Sequence, residues 1–335
     1  MRASLKIVVF SLVAVSAYLL LPSRALHAQT TPSPPPQSPP EFARLTMIVA
    51  NQTNHSVDDV RQEDIQLMED KLTQAISSFS KDVRPVDYAL VLDTSGSFKP
   101  LLQPVVEAAK ILINRNQAED ETFIESFVSS ATIETNQEFT ADKAKLSAAL
   151  DSLYIRGGQS AVIDAVYLAI KHTAEYKDGP AERRRAVVLF TDGEDRASYY
   201  GSDQLIKLLR EKDVQVFVIG IVNQLARDGG LIRKSPREAA ERLLHRIAEE
   251  SGGRVFFPKD VKELSEATAE IAHDLHFQYL IGFERHGKPG EKGFRKLKVT
   301  VADTPGREKL TVITRPGYFV NVQTSVQKAN EKKSP

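Results

Sequence analysis

The sequence predicts an α/β protein: a doubly wound, mostly parallel sheet inserted in a small antiparallel β-domain. Three observations carry this expectation. From residue 86 to residue 276, short apolar runs alternate with helix-spaced segments, the pattern of parallel strands joined by helices on both faces. Two runs, Ala186–Phe190 (AVVLF) and Val214–Ile221 (VQVFVIGI), are almost unbroken in their apolar character, as strands buried on both sides must be. Phe294–Ala302 and Lys309–Arg315, by contrast, alternate with period two, the mark of half-buried antiparallel strands.

Taken in order, residues 1–28 have the layout of a secretory signal peptide. Arg2 and Lys6 precede an uncharged run, Ile7–Leu21, which Pro22 and Ser23 end. At 15 residues the run is shorter than the ~18–20 that span a bilayer comfortably. Cleavage after Ala25 and after Ala28 both fit, and a retained N-terminal anchor is the alternative. Residues 29–41 form a Pro-rich linker: TPSPPPQSPP, with six prolines in ten residues, favours an extended polyproline II spacer. Residues 42–85 supply strand-like stretches at Arg44–Ala50, Ile65–Met68 and Leu72–Phe79. Residues 277–320 supply Phe277–Arg285, Phe294–Ala302 and Lys309–Arg315, with turns at Gly287–Gly293 and Asp303–Gly306. Each piece is near the lower size limit for independent folding. Together they would form a six-stranded sheet or small sandwich interrupted by the α/β domain; the alternative is two separate decorations on that domain.

Within the α/β domain, residues 86–276, the expected strands are Asp87–Leu92, Thr122–Val128, Ala186–Phe190, Val214–Ile221 and Arg254–Phe257. Ala131–Thr135 is expected as a short antiparallel partner. The expected helices are Leu101–Asn114, Asp142–Leu153, Ala161–Tyr176, Ser202–Lys212, Pro236–Glu250 and Val261–Leu275, each with apolar residues at helical spacing. Ser202 reads as an N-cap, and Pro236 suits a first helical turn. Residues 321–335 are polar and Lys-rich, and are expected as a disordered tail.

Composition narrows the function. The 335 residues hold 44 Lys+Arg and 44 Asp+Glu, a balance unlike the basic excess of nucleic-acid binders. Loss of Arg2, Lys6 and Arg24 with the signal segment would leave 41 basic against 44 acidic residues. The absence of Cys excludes disulfide scaffolds, Fe–S clusters, Cys-based zinc sites and thiol nucleophiles. An exported, Cys-free chain is compatible with a bacterial periplasm, cell surface or medium. After signal cleavage no transmembrane segment is expected.

In open α/β sheets, ligands bind beyond the carboxyl ends of the strands. Three loops lead there. The first is Asp93-Thr94-Ser95-Gly96-Ser97, the second Gly157-Gly158-Gln159-Ser160 before a helix containing Asp164, and the third Thr191-Asp192-Gly193. They bring carboxylates and hydroxyls to one sheet edge. Such oxygens suit a hard divalent cation, Mg²⁺ or Mn²⁺ ahead of Ca²⁺. With few carboxylates in contact, the ion stays electrophilic and can attract an acidic group from outside.

These loops resemble the metal-ion-dependent adhesion site of von Willebrand factor type A domains. The resemblance implies a Rossmann-like fold and a metal set of Asp93, Ser95, Ser97, Ser160 and Asp192. Ser95 and Ser97 would bind directly, and Asp93 and Asp192 partly through water. Ser160 stands where the family has Thr; an alternative alignment places Gln159 there. A partner's Glu or Asp would complete the octahedron. The chain also resembles an acidobacterial-type family of exported proteins with this domain, through Asp64-Ile65, Glu69-Asp70, Tyr279–Phe283, Phe294-Arg295-Lys296 and Arg315–Tyr318.

The implied function is non-enzymatic binding or adhesion to a protein or glycan partner that presents a carboxylate. The alternatives are a structural envelope component whose metal only orders loops, and a metal-dependent hydrolase. The hydrolase lacks a candidate base, and neither Ser95 nor Ser97 has a neighbouring His to make it a nucleophile. His273 and His276 could share a metal but show no third ligand. Arg183–Arg185 reads as a solvated charge run, and Glu194 and Asp195 as a solvated turn.

Overall fold

The computed structural model describes residues 42–176, 182–226, 235–285, 292–303 and 306–320. The signal peptide, the Pro-rich linker and the polar tail expected from the sequence lie outside these residues, as does part of each expected turn in the second flank.

The first flank contributes β1 (Phe42–Ala50), β2 (Ile65–Glu69), β3 (Leu72–Gln74) and β4 (Ile76–Asp82). The stretch read as one strand, Leu72–Phe79, is therefore two. Asp70 and Lys71 adopt positive φ angles of 47° and 73°, and this tight turn folds β3 back on β2. The chain then changes sheets at Ala75, and β4 pairs elsewhere.

The α/β unit follows. Its strands are β5 (Val86–Asp93), β6 (Glu121–Phe127), β7 (Ile133–Thr140), β8 (Arg184–Thr191), β9 (Gln215–Gly220) and β10 (Val255–Phe256). Its helices are α1 (Leu102–Arg115), α2 (Lys143–Asp151), α3 (Val162–Glu175), α4 (Ser202–Glu211), α5 (Pro236–Ser251) and α6 (Val261–Asp274). The second flank adds β11 (Gln278–Glu284), β12 (Gly293–Val301), β13 (Thr311–Ile313) and β14 (Gly317–Val320).

The central sheet has the order β10-β9-β8-β5-β6-β7. All its pairings are parallel except β6 with β7. Every residue of β5 is buried, and alternate side chains serve opposite layers. Tyr88, Leu90 and Leu92 pack with α1, α2 and α6, while Ala89 and Val91 pack with α3, α4 and α5. Three helices on each face cover the sheet, which is why its central strands carry no polar alternation.

The flank strands pair across the α/β unit. The sheet β13-β1-β11-β4 and the sheet β14-β12-β2-β3 each mix strands from before and after it. Between them lies a separate core of Leu45, Met47, Val49, Leu67, Ile281, Phe283 and neighbours. The opposite side of β1 sends Ile48 into the core of the α/β unit, so this strand serves two cores. Of the two arrangements expected from the sequence, a six-stranded sheet or a small sandwich, the two four-stranded sheets with a core between them correspond to the sandwich, with eight strands in place of six. The additional strands are the split of residues 72–82 and the short β14, whose Gly317 lies against the Arg295 backbone, where a Cβ would sit 2.1 Å from the carbonyl oxygen.

Two local readings are corrected. Gly201, not Ser202, caps α4, and Ser202 is its first helical residue. The run Arg183–Arg185 is not uniformly solvated. Arg183 grips the buried Asp87 at 2.6 and 2.7 Å, and Arg184 is buried with its guanidinium near Asp82 and on the Leu275 carbonyl. Arginines tolerate such sites where a planar fork meets carboxylate and carbonyl acceptors.

Candidate metal centre

In the strand order of the central sheet, the chain moves from β5 to one side at β6 and later to the other side at β8. The crevice of such a sheet opens where that direction reverses, beyond the carboxyl ends of the two strands. Asp93 ends β5, and Asp192 follows β8 directly.

The five residues expected from the sequence come together here. Asp93 is wholly buried. Its Oδ1 accepts from the Ser95 amide at 2.9 Å, and its Oδ2 accepts from the Thr191 hydroxyl at 2.8 Å. Ser160 Oγ lies 3.4 and 3.3 Å from the two Asp93 oxygens. Ser95 Oγ and Ser97 Oγ are 3.2 Å apart, and Ser97 Oγ donates to Asp192 Oδ2 at 2.6 Å. Three hydroxyls and two carboxylates from three loops thus form one continuous set. Of the two alignments open for the second loop, Ser160 is buried beside Asp93, whereas Gln159 is exposed.

Backbone hydrogen bonds tie the three loops to one another. The Thr94 amide donates to the Phe127 carbonyl at 2.9 Å and the Arg156 amide to the Thr94 carbonyl at 3.1 Å. The Arg196 and Ala197 amides donate to the Ser160 carbonyl at 2.9 and 3.1 Å. Helix α3 cannot cap itself, because its N-cap is Ala161. The third loop does so instead: Asp195 Oδ1 accepts from the Ile163 amide at 3.2 Å, and Ser198 Oγ from the Asp164 amide at 3.2 Å. Unpaired amides at a helix start need such acceptors. Asp164 is no part of the oxygen set. Its buried carboxylate accepts from the Tyr199 and Tyr200 amides at 2.7 and 2.8 Å. Glu194 and Asp195 are half-buried rather than a freely solvated turn.

Thr191 is the residue the sequence reading passed over. It holds Asp93 and also accepts from the Gly193 amide at 3.0 Å. Its signal was a hydroxyl at the last position of a buried strand, immediately before the acid. Gly193 has φ 78°, and a Cβ there would meet Leu244 Cδ1 at 2.8 Å. Only glycine turns the chain tightly enough to keep Asp192 at the edge.

The electrostatics fit a cation. Among the described residues, neither Asp93 nor Asp192 forms an ion pair with a lysine or arginine. Burial pushes the Asp93 carboxyl up to about 6, opposed by its hydrogen bond from Ser95, and the Asp192 charge adds to the rise. Burial likewise raises Asp192 above the usual carboxylate range. Arg196, paired to Glu194 at 2.6 Å, opposes the rise at Asp192 only in part. Two buried acids with no base paired to either are unfavourable unless protonated or joined to a metal. Hydroxyl and carboxylate donors are those of a hard divalent ion.

A second set of ligating groups lies elsewhere. Glu270, His273 and Asp274 offer atoms within 4.8 Å of one another. There a buried guanidinium already supplies the positive charge: Arg254 Nη1 lies 2.5 Å from Asp274 and 3.3 Å from Glu270. His273 stacks on Phe277, and His276 turns away to Asp120 at 2.7 Å. The two histidines therefore share no centre.

A doubly wound α/β sheet with an oxygen-lined crest at its carboxyl edge defines a class of ligand-binding domain. The family model described as von Willebrand factor type A domain matches residues 87–270, more than half of the chain, which belongs to that family. Domains of this family commonly hold a divalent metal at such a crest and act in protein interactions. No curated protein matches the chain. Among solved structures, the chain is similar to the conserved hypothetical protein BatB from Bacteroides thetaiotaomicron, with 20% identity over 56% of this chain and 98% of that one and a TM-score of 0.43. A von Willebrand factor type A protein from Catenulispora acidiphila shows 15% identity over 82% and 73% of the two chains, with a TM-score of 0.46. Proximal thread matrix protein 1 from the mussel byssus, with a zinc-occupied MIDAS motif, shows 18% identity over 63% and 50%, with a TM-score of 0.44.

Proposed function

We propose that the protein is an exported, non-catalytic binding protein that engages an acidic group of a protein or glycan partner through Mg²⁺ or Mn²⁺. Asp93, Ser95, Ser97, Ser160 and Asp192 would hold the ion. One observation carries this reading: two buried carboxylates from different strands meet three hydroxyls, and neither acid has a basic partner among the described residues. The ion would neutralise the acids, and a partner carboxylate would add the outer oxygen. The signal-like residues 1–28 support export, and among the described residues no helix is long and apolar enough to cross a membrane. We read the flanks, 42–85 and 277–320, as one β unit interrupted by the α/β domain, a reading supported by their shared core.

The rival reading is a metal that only orders loops. The backbone bonds among the three loops already order them without help from an ion, which favours a role beyond ordering. Thermal melting separates the two. A small carboxylate such as glutarate should raise Tm further only when Mg²⁺ is present. Stabilisation by Mg²⁺ with no carboxylate effect at any concentration would support the ordering role and contradict the bridge.

A further inference from the structure

A guanidinium beside a cation-binding site works against the ion, so its placement there calls for a reason. The charge of Arg196 opposes the rise at Asp192, and that of Glu194 adds to it. Both residues are tied to the oxygen set through the backbone. The Glu194 amide donates to Asp192 Oδ1 at 3.0 Å, and the Arg196 amide to the Ser160 carbonyl at 2.9 Å. Their side chains then pair, Arg196 Nη2 donating to Glu194 Oε1 at 2.6 Å.

The pair is uneven. The Glu194 side chain is 16% exposed and that of Arg196 55%. The guanidinium has five N–H donors, so an incoming group can share it with Glu194. Its position also matches the way in. Asp93, Ser95, Ser160 and Asp192 are buried, whereas Ser97 is exposed. A partner therefore reaches the oxygen set from the side of Ser97, whose hydroxyl donates to Asp192, the acid on which the Arg196 charge acts.

We infer that Arg196 is the carboxylate reader of this site: it donates to the second oxygen of a partner acid whose first oxygen lies on the ion. The inference rests on the metal-bridge reading above. A carboxylate bound to an ion through one oxygen leaves the other in need of a donor, and a guanidinium fork suits it. A hydroxyl or amide from a partner brings no second anionic oxygen and gains nothing from Arg196. Glu194 tempers the repulsion between Arg196 and the ion while the site awaits a partner.

The test measures Mg²⁺ and glutarate separately by calorimetry on the purified chain, in wild type, Arg196→Gln and Arg196→Lys. All three keep the backbone amide that bonds to Ser160. Arg196→Gln should bind glutarate in saturating Mg²⁺ about tenfold more weakly, yet take up Mg²⁺ alone about threefold more tightly. Arg196→Lys keeps the charge without the fork. It should hold Mg²⁺ affinity at the wild-type value and recover only part of the glutarate affinity. A merely structural role would not move metal and carboxylate in opposite directions. EDTA-sensitive glutarate binding that is equal in wild type and Arg196→Gln, or a parallel loss of Mg²⁺ and glutarate affinity in that variant, overturns the reader and leaves the bridge standing. A wild-type chain that binds no glutarate in Mg²⁺ overturns both.

Discussion

Two places in this molecule gather acidic side chains, and they are resolved in opposite ways. Around α6, Asp274 and Glu270 enclose Arg254, which also reaches Ser56 Oγ at 2.9 Å and the Asn54 carbonyl at 2.6 Å. That charge is balanced from within, and the cluster fastens the first flank to the α/β unit. Beyond β5 and β8, Asp93 and Asp192 meet only hydroxyls and amides in the hydrogen bonds they form. Proximity of acids is therefore no guide to a metal site. What distinguishes the second place is a buried negative charge that no ion pair among the described residues answers, Arg196 only partly offsetting it at Asp192.

The comparison breaks first at Asp93. Asp93→Ala should abolish Mg²⁺ and Mn²⁺ uptake in calorimetry while the far-UV circular dichroism stays native, because the variant removes a buried charge instead of stranding one. Arg254→Met should do the reverse. It leaves the buried Asp274 and the half-buried Glu270 without their guanidinium, at a cost of roughly 3–5 kcal/mol in denaturant unfolding, and metal uptake at the sheet edge should persist.

Thr191→Val refines the contrast. It keeps the volume of Thr191 but removes the hydroxyl that orients Asp93, so metal affinity should fall about 10–100-fold, as for other outer partners of metal ligands. Acidity offers a milder probe. Asp93 must be ionised to bind metal, and its carboxyl is held up at about 6; uptake should therefore weaken as the pH falls through that value.

Glu125 represents a third kind of acid. It lies buried on the side of β6 that places Phe123 and Phe127 in the core with α3, and its Oε1 has no hydrogen-bond partner. Burial raises its carboxyl from an ordinary 4.5 to about 8. The folded state keeps a proton that the unfolded chain releases, so stability should decline as the pH rises from about 4.5 and level off above about 8. Glu125→Gln should flatten that decline in denaturant titrations at successive pH values; an unchanged slope would place its source elsewhere.

Much of the α/β unit was legible because strand and helix periods differ and buried parallel strands are continuously apolar. Val86–Asp93 and Arg184–Thr191 extend the expected runs by only one or two residues at each end. The parts that were misread depend on partners distant in the chain. β14 is four residues long and exists through its pairing with β12. The division of residues 72–82 follows from a change of sheet, to which local composition is blind. Arg184 looked solvated because its acceptors, Asp82 and the Leu275 carbonyl, lie in other segments. At the candidate site, the places of the first and third loops at the ends of β5 and β8 were readable. The role of Asp164 in holding the third loop was not, since it depends on amides 35 and 36 residues away.

Isothermal titration of Mg²⁺ and Mn²⁺ into the purified chain at neutral pH tests the central claim most directly. The account predicts a single saturable site in the wild type and none in Asp93→Ala. Absence of uptake by the wild type, or uptake that survives Asp93→Ala unchanged, would contradict it.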